Sequence, residues 1–288
     1  MNETKASCPP LLNLTKYRIH CRAKDKITLP PYKGAAFHGG FGYALKALSP
    51  YYFKLLCDSD GQQKPCVLLP PLDKSTAYPA GHEFFFEITL VGRTGEYFPL
   101  CRDAVEYLGG RLGFGEGKGK FDVFRVDTVS PFPEHSGDII QHQGYLHEKS
   151  ATCTQLTLHF DTNMRLKERD TLVRTSPAFI IFFSRLLGRL NSLSLFYGDG
   201  PLCSRHEKAE LLDKAVQIEI ADDDTRWEDW SRFSGRQKQW MLFGGLTGRL
   251  TYSGSLTPFL PYLSLGEWAH VGGKTSFGLG KYTMEVMQ

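Results

Sequence analysis

No C-x-x-C pair occurs anywhere in the 288 residues, and the seven cysteines (Cys8, Cys21, Cys57, Cys66, Cys101, Cys153, Cys203) are scattered and odd in number. That spacing argues against a disulfide framework and against a zinc knuckle, so the reading calls for no metal and no cofactor. Cys57 and Cys66 are the nearest thing to the remnant of a knuckle. The N-terminal MNETKASCPP lacks the basic-then-apolar order of a signal peptide, and the expected location is a reducing cytoplasm. No long apolar run is free of charge. The most apolar stretch, residues 179–197, carries Arg185 and Arg189, which cost several kcal/mol in lipid, on the order of 3 each. Its apolar set (Phe179, Phe182, Phe183, Leu186, Leu190, Leu193) has helical spacing, so it reads as a core helix over 177–197, with Ser176 as N-cap and Pro177 in the first turn. No membrane partner is expected. An excess of either charge is also lacking, since 34 Lys+Arg face 31 Asp+Glu for a formal +3.

What is present is an ordinary globular composition, 41% apolar and 13% aromatic, long enough for two domains. The first half reads strand (Tyr17 to Cys21), helix (Gly34 to Leu48), strand (Phe84 to Val91), helix (Leu100 to Leu108, stopping at Gly109-Gly110), a glycine-rich loop at 113–121 and a strand from Phe121 to Val126. Turn residues and weak periodicity place a linker at 130–150. The second half has an alternating strand at Leu156, Leu158 and Phe160, the 177–197 helix, and a strand at Val216, Ile218 and Ile220. A loop rich in Asp and Trp (221–230), a strand from Leu246 to Tyr252, a short helix from Thr257 to Leu265, and a closing glycine-rich segment follow. Two such halves predict an α+β fold of two tandem ferredoxin-like domains, 1–140 and 151–288, with a glycine-rich loop near the C-terminus.

That loop, GGKTSFGLGK (272–281), carries the strongest chemical signal. Gly272, Gly273, Gly278 and Gly280 let the backbone approach a ligand, and Lys274 and Lys281 add charge, which suits phosphate. It lacks the spacing of a Walker loop or a dinucleotide fingerprint. A glycine-rich turn that merely packs the last strand is the plain alternative. The charge, divided by segment, favours the first reading: residues 15–46 carry +6 and residues 231–281 carry +5, leaving −8 on the rest. A polyanion suits such segregation, with Lys33, Arg232, Arg236 and Lys238 as contacts, and aromatics lie among the cations for base stacking.

Three stretches, LPPYKGAAFHGGFGYAL (29–45), SGRQKQWMLFGGLTGRLTYSG (234–254) and LGEWAHVGGKTSFGLGKY (265–282), together resemble the CRISPR-associated endoribonucleases of the RAMP superfamily, the Cas-six family. The resemblance spans nearly the whole chain. It implies two ferredoxin-like domains and a partner in CRISPR repeat RNA or precursor CRISPR RNA. It also implies metal-independent cleavage to a 2′,3′-cyclic phosphate, with CRISPR effector-complex subunits as further partners. Such chemistry needs a base, an acid and positive charge, and a histidine suits either proton role. His38 is the leading candidate, at the border of the apolar stripe of the first helix beside Gly39 and Gly40. Lys33 or Lys46 would stabilise the phosphorane, and Tyr32 would orient a proton or the ribose. In many relatives an arginine stands where His38 does. His20, between Arg18 and Arg22, is the second candidate, and His270 is read as shaping the loop or contacting RNA. A superfamily member that binds RNA without cutting it is the alternative.

Overall fold

The computed structural model describes residues 12–58, 63–129, 152–234 and 239–287. The first half contains β1 (Leu14–Ala23), α1 (Gly34–Leu48), α2 (Pro50–Cys57), β2 (Cys66–Leu69), β3 (Glu83–Val91), α3 (Phe98–Tyr107) and β4 (Phe121–Val129). The second contains β5 (Gln155–Met164), α4 (Phe179–Tyr197), α5 (Arg205–Ala215), β6 (Glu219–Glu228), a hairpin of β7 (Ser231–Ser234) and β8 (Gln239–Leu242), β9 (Gly245–Ser253), α6 (Leu260–Ala269) and β10 (Tyr282–Met287). The two four-stranded antiparallel sheets have the same order, β2-β3-β1-β4 and β6-β9-β5-β10. Each is the 2-3-1-4 arrangement of a β-α-β-β-α-β unit with one extra helix after the first crossover. These are the tandem ferredoxin-like folds. The junction expected at 130–150 lies outside the described residues.

Alternation along β1 sends Ile19, Cys21 and Ala23 inward against Phe37 and Phe41 of α1, while Arg18, His20 and Arg22 point to the opposite side of the sheet. Each fully buried aromatic of that kind contributes about 1.5–3 kcal/mol. The second core is built on α4, whose Phe179, Phe182, Phe183, Leu186 and Leu190 are buried; it also takes in Leu12, Leu14 and Val91 from the first half. By length and composition α4 could span a membrane, but here its apolar face is core. Cys57 and Cys66 are buried in the first core, and burial pushes the Cys57 thiol up to about 12.

Several expected elements differ. The helix begins at Phe179, and neither Ser176 nor Pro177 caps it. Val216 ends α5 instead of starting a strand, and the acid-rich stretch expected as a loop is β6, an edge strand paired to β9. Asp222 and Asp224 are held there by Arg249 across the pair, at 4.0 and 3.6 Å. Helix α3 does not stop at Gly109-Gly110: a π turn carries it to Leu112, and Gly113, at φ 64°, ends it.

Candidate nucleic-acid interface

Helix α1 starts against the glycine-rich loop. Gly34 is required at its first position because a Cβ there would collide with the carbonyl of Phe277. The loop turns through Lys274 in the left-handed region (φ 64°), a short 3-10 helix over Thr275–Phe277, and Gly278 at φ 85°. A Cβ on Gly278 would lie 2.7 Å from Pro70 Cδ and 2.8 Å from the Leu68 carbonyl. The loop is thereby seated on the first domain. Its other side holds the second: Thr162 donates to the Gly278 carbonyl at 2.8 Å and accepts from the Lys281 amide at 2.9 Å.

An aromatic cluster surrounds this seat. The His38 imidazole, one turn into α1, stacks on Phe277 with centroids 4.0 Å apart and planes 25° off parallel. Phe277 meets Phe243 edge-on at 5.4 Å, Phe243 meets Trp230 at 5.0 Å, and Trp230 meets Tyr32 at 4.9 Å. The Lys274 ammonium lies 4.1 Å from the Phe243 centroid, within cation–π range. Trp230 and Phe243 also form the root of the β7–β8 hairpin, where the Phe243 amide donates to the Trp230 carbonyl at 2.9 Å and the indole donates to Asn163 at 3.2 Å. Beside them the Arg165 guanidinium donates to the Gly244 carbonyl, and burial lowers its pKa. Arg174 lies 4.9 Å from the Trp227 ring and 3.7 Å from Asp229. The site therefore gathers an imidazole stacked on one ring, an ammonium and further rings packed edge-on or tilted at the junction of α1, the loop and a hairpin.

The candidate residues separate on this geometry. His38 and Lys274 share the aromatic cluster, and Tyr32 joins it in a different role. Its hydroxyl donates to the Phe277 carbonyl at 2.7 Å, and burial drives its pKa far up, so it fixes the loop and has no proton to offer. Lys33, expected at the phosphate, is 0% exposed, with its ammonium on the Asp73 carbonyl and 3.4 Å from the Asp73 carboxylate. It belongs to the core. Lys46 is exposed, eight positions past His38, about 12 Å along the axis, too far to share its phosphate. Lys281 has a side chain only 11% exposed, 3.4 Å from Asp161, and desolvation lowers its pKa.

The glycines serve packing more than ligand approach. A Cβ on Gly272 or Gly280 would strike the carbonyl of Arg165 or Val271, and the amides of Gly273, Gly278 and Gly280 donate to Arg165, Thr275 and Asn163 at 2.8, 2.9 and 3.1 Å. Arg232 pairs with Met241 in the hairpin backbone, and Arg236 and Lys238 lie outside the described residues. His20 sits across the first sheet from His38, 2.8 Å from Asp127 and 3.1 Å from Arg125. His270, in the left-handed region at φ 59°, is 1% exposed; its Nδ1 lies 3.2 Å from the Leu279 carbonyl, and burial pushes its pKa well below 6.5. It shapes the loop and is out of reach of RNA. Residues that sequence reasoning missed are Trp230, Phe243, Asn163, Arg165 and Arg174. Trp230 ends the stretch expected as a loop at 221–230 and Phe243 lies thirteen positions later, and only their pairing across the hairpin root brings them together.

The chain is thus a protein of two ferredoxin-like units with a glycine-rich loop docked on the first helix beside a histidine. The family model for the CRISPR-associated endoribonuclease Cas6 matches residues 158–282, and a model described as an N-terminal domain matches residues 12–60 and 58–152. An uncharacterized protein of Archaeoglobus fulgidus is 25% identical over 88% of this chain and 91% of its own. Among solved structures, a partial Cas6-RT-Cas1–Cas2 complex superposes at TM-score 0.67 with 15% identity over 97% of this chain, which spans 47% of the matched chain. A Cas6 product complex superposes at 0.65 with 18% identity, covering 94% of this chain and 99% of that one. Residues 158–282 thus match the Cas6 family, and the fold of the chain is that of solved Cas6 structures.

Proposed function

We propose that the chain is an endoribonuclease that binds CRISPR repeat RNA and cuts precursor CRISPR RNA into guide units, working alone or beside CRISPR effector subunits. The observation that carries the reading is the stack of His38 on Phe277, with Lys274 on the same cluster, at the seam of both domains. In the reaction a ribose 2′-oxygen forms a bond to the adjacent phosphorus while the bond from phosphorus to the leaving 5′-oxygen breaks, giving a 2′,3′-cyclic phosphate and a 5′-hydroxyl. His38 transfers the proton, as base for the 2′-hydroxyl or acid for the 5′-oxygen, and Lys274 stabilises the charge that builds on the phosphorane. Phe277 holds the imidazole plane, and Tyr32 holds Phe277.

The test is cleavage of repeat RNA by the purified chain in EDTA. Product carrying a cyclic phosphate is expected, together with loss of at least about 100-fold in single-turnover rate for His38→Ala while RNA affinity is retained. A 2′-deoxy substitution at the scissile nucleotide should stop cutting. Unimpaired cutting by His38→Ala would sink the assignment; tight binding with no cutting would make the chain a non-catalytic RNA-binding subunit.

A further inference from the structure

Two basic surfaces lie on the first domain, and their electrostatics differ. On the outer face of its sheet every cation of β1 meets an acid: Lys16 and Arg18 are 3.1 and 2.7 Å from Glu87, and Arg22 is 2.6 Å from Glu83. Lys24, just past the strand, is 2.7 Å from Asp122. That face is nearly neutralised, and a polyanion gains little from it.

The outer face of α1 and α2 is the reverse case. From Lys26 to Cys57 the sequence contains no Asp or Glu. Lys46 and Lys54 are both exposed, and among the described residues no carboxylate lies within ion-pair distance of either. Tyr43 and Tyr51 are each 70% exposed. One exposed aromatic is unremarkable; two, set among uncompensated lysines, make a surface with a chemistry. The two helices are fixed to one another, since Gly42 leaves space for the Phe53 ring, which a Cβ would approach to 3.3 Å, and Lys46 lies 5.6 Å from that ring's centroid. Along α1 this surface begins within two turns of His38, on the side of the helix where Gly39 lies, about 80–140° around the axis from the imidazole's own position. Tyr43 and Lys46 stand five and eight residues past His38, about 7 and 12 Å up the axis, and open space surrounds the intervening Gly39.

We infer that Tyr43, Lys46, Tyr51 and Lys54 form a track for a single-stranded flank of the RNA whose scissile phosphate lies at His38. Bases stack on the two tyrosines, and phosphates are met by the two lysines. Alternating rings and ammonium groups without acids are what a strand of either sequence can use, so the track positions the substrate and does not select it. The inference rests on the proposed function and extends it to a surface beyond the reacting atoms.

The experiment measures binding of a labelled repeat RNA with single-stranded flanks, 2′-deoxy at the scissile position, to the full chain over a series of salt concentrations. Tyr43→Ala and Tyr51→Ala should each weaken binding about ten-fold, and Lys46→Ala with Lys54→Ala should lower the salt slope by about two. Lys214→Ala, on exposed α5, serves as the control. Truncating the flank should abolish the difference between wild type and Tyr43→Ala, which a merely structural tyrosine would not show. Unchanged affinity and slope in all these variants, with His38→Ala still inactive, would overturn the track and leave the proposed function standing. Absence of RNA binding by the wild-type chain would overturn both. A change in self-association in place of RNA affinity would reassign the face to a second copy.

Discussion

At the residue scale, two lysines that look alike in the sequence have opposite surroundings. Lys33 is wholly buried and donates to Asp73, forty positions away, whose carboxyl is held below its usual range with Tyr78 and Lys33 among the causes. Lys274 lies over Phe243 at the edge of the site. Lys33→Ala should therefore cost about 2–4 kcal/mol of stability, from the volume removed and the stranded carbonyl and carboxylate of Asp73. It should leave RNA affinity per folded molecule unchanged. Lys274→Ala keeps the same left-handed Cβ, so its melting temperature should hold while RNA affinity falls about ten-fold. Thermal denaturation paired with anisotropy titration separates the two. The sequence offers no sign of this difference, because burial of Lys33 depends on a loop far along the chain. His38 was legible, since its helix and its place on the border of the apolar stripe follow from local periodicity. Its partner Phe277, 239 positions later, did not.

At the scale of elements, α1 was readable to its ends and β3 and β9 to within a residue, whereas β1, β4 and β5 were expected with shorter bounds and β2, β7 and β8 were not expected. Strand β2 is buried at all four of its positions and so shows no alternation. The failures have physical reasons. Strand β6 is an edge strand exposed along nearly its whole length, so its acids show no alternation. Helix α2 is only eight residues long. Helix α5 was not among the expected elements although it carries a capping box, in which the Ser204 amide donates to the Glu207 carboxylate at 2.7 Å and the Glu207 amide donates to Ser204 Oγ at 3.2 Å. The closing loop was recognised for its glycines but not for what they do. Gly278→Ala should cost about 2 kcal/mol or more, since it combines a left-handed residue with contacts of 2.7 and 2.8 Å against Pro70 and Leu68. It should also break the Tyr32 bond to Phe277 and lower the cleavage rate. Gly273→Ala, with nothing nearer than 3.7 Å and no positive φ, should cost under about 1 kcal/mol and leave the rate near wild type. Equal losses in the two variants would assign the glycines to ligand approach instead.

At the scale of the whole molecule, the domains are joined through buried polar groups that the formal charge does not reveal. Arg189 of α4 donates to the carbonyls of Ala269 and His270 and to Gln63 of the first domain, and its burial lowers its pKa to about 10. Lys16 of β1 lies 4.2 Å from the Trp268 ring of α6. His270 stands between these links, kept neutral first by burial and then by Lys281, Lys16 and Arg189. Because its folded pKa is depressed, the unfolded chain binds a proton more readily below about 6.5. The stability present above that pH is then lost as the pH falls from 6.5 toward the folded value, at up to about 1.4 kcal/mol per unit. Glu267, whose pKa burial raises, acts with the opposite sign, losing stability as pH rises above 4.5 toward its folded value; Glu87, depressed with Lys16 and Arg18 among the causes, is lost on acidification below 4.5. Between 6.5 and the Glu267 window, His270 sets the slope. His270→Asn tolerates the left-handed backbone and can still donate to Leu279, so denaturant titrations across this range should show the wild-type chain losing stability while the variant stays nearly flat. Parallel pH profiles would show that His270 is not the group that couples loop, helix and domain seam to protons.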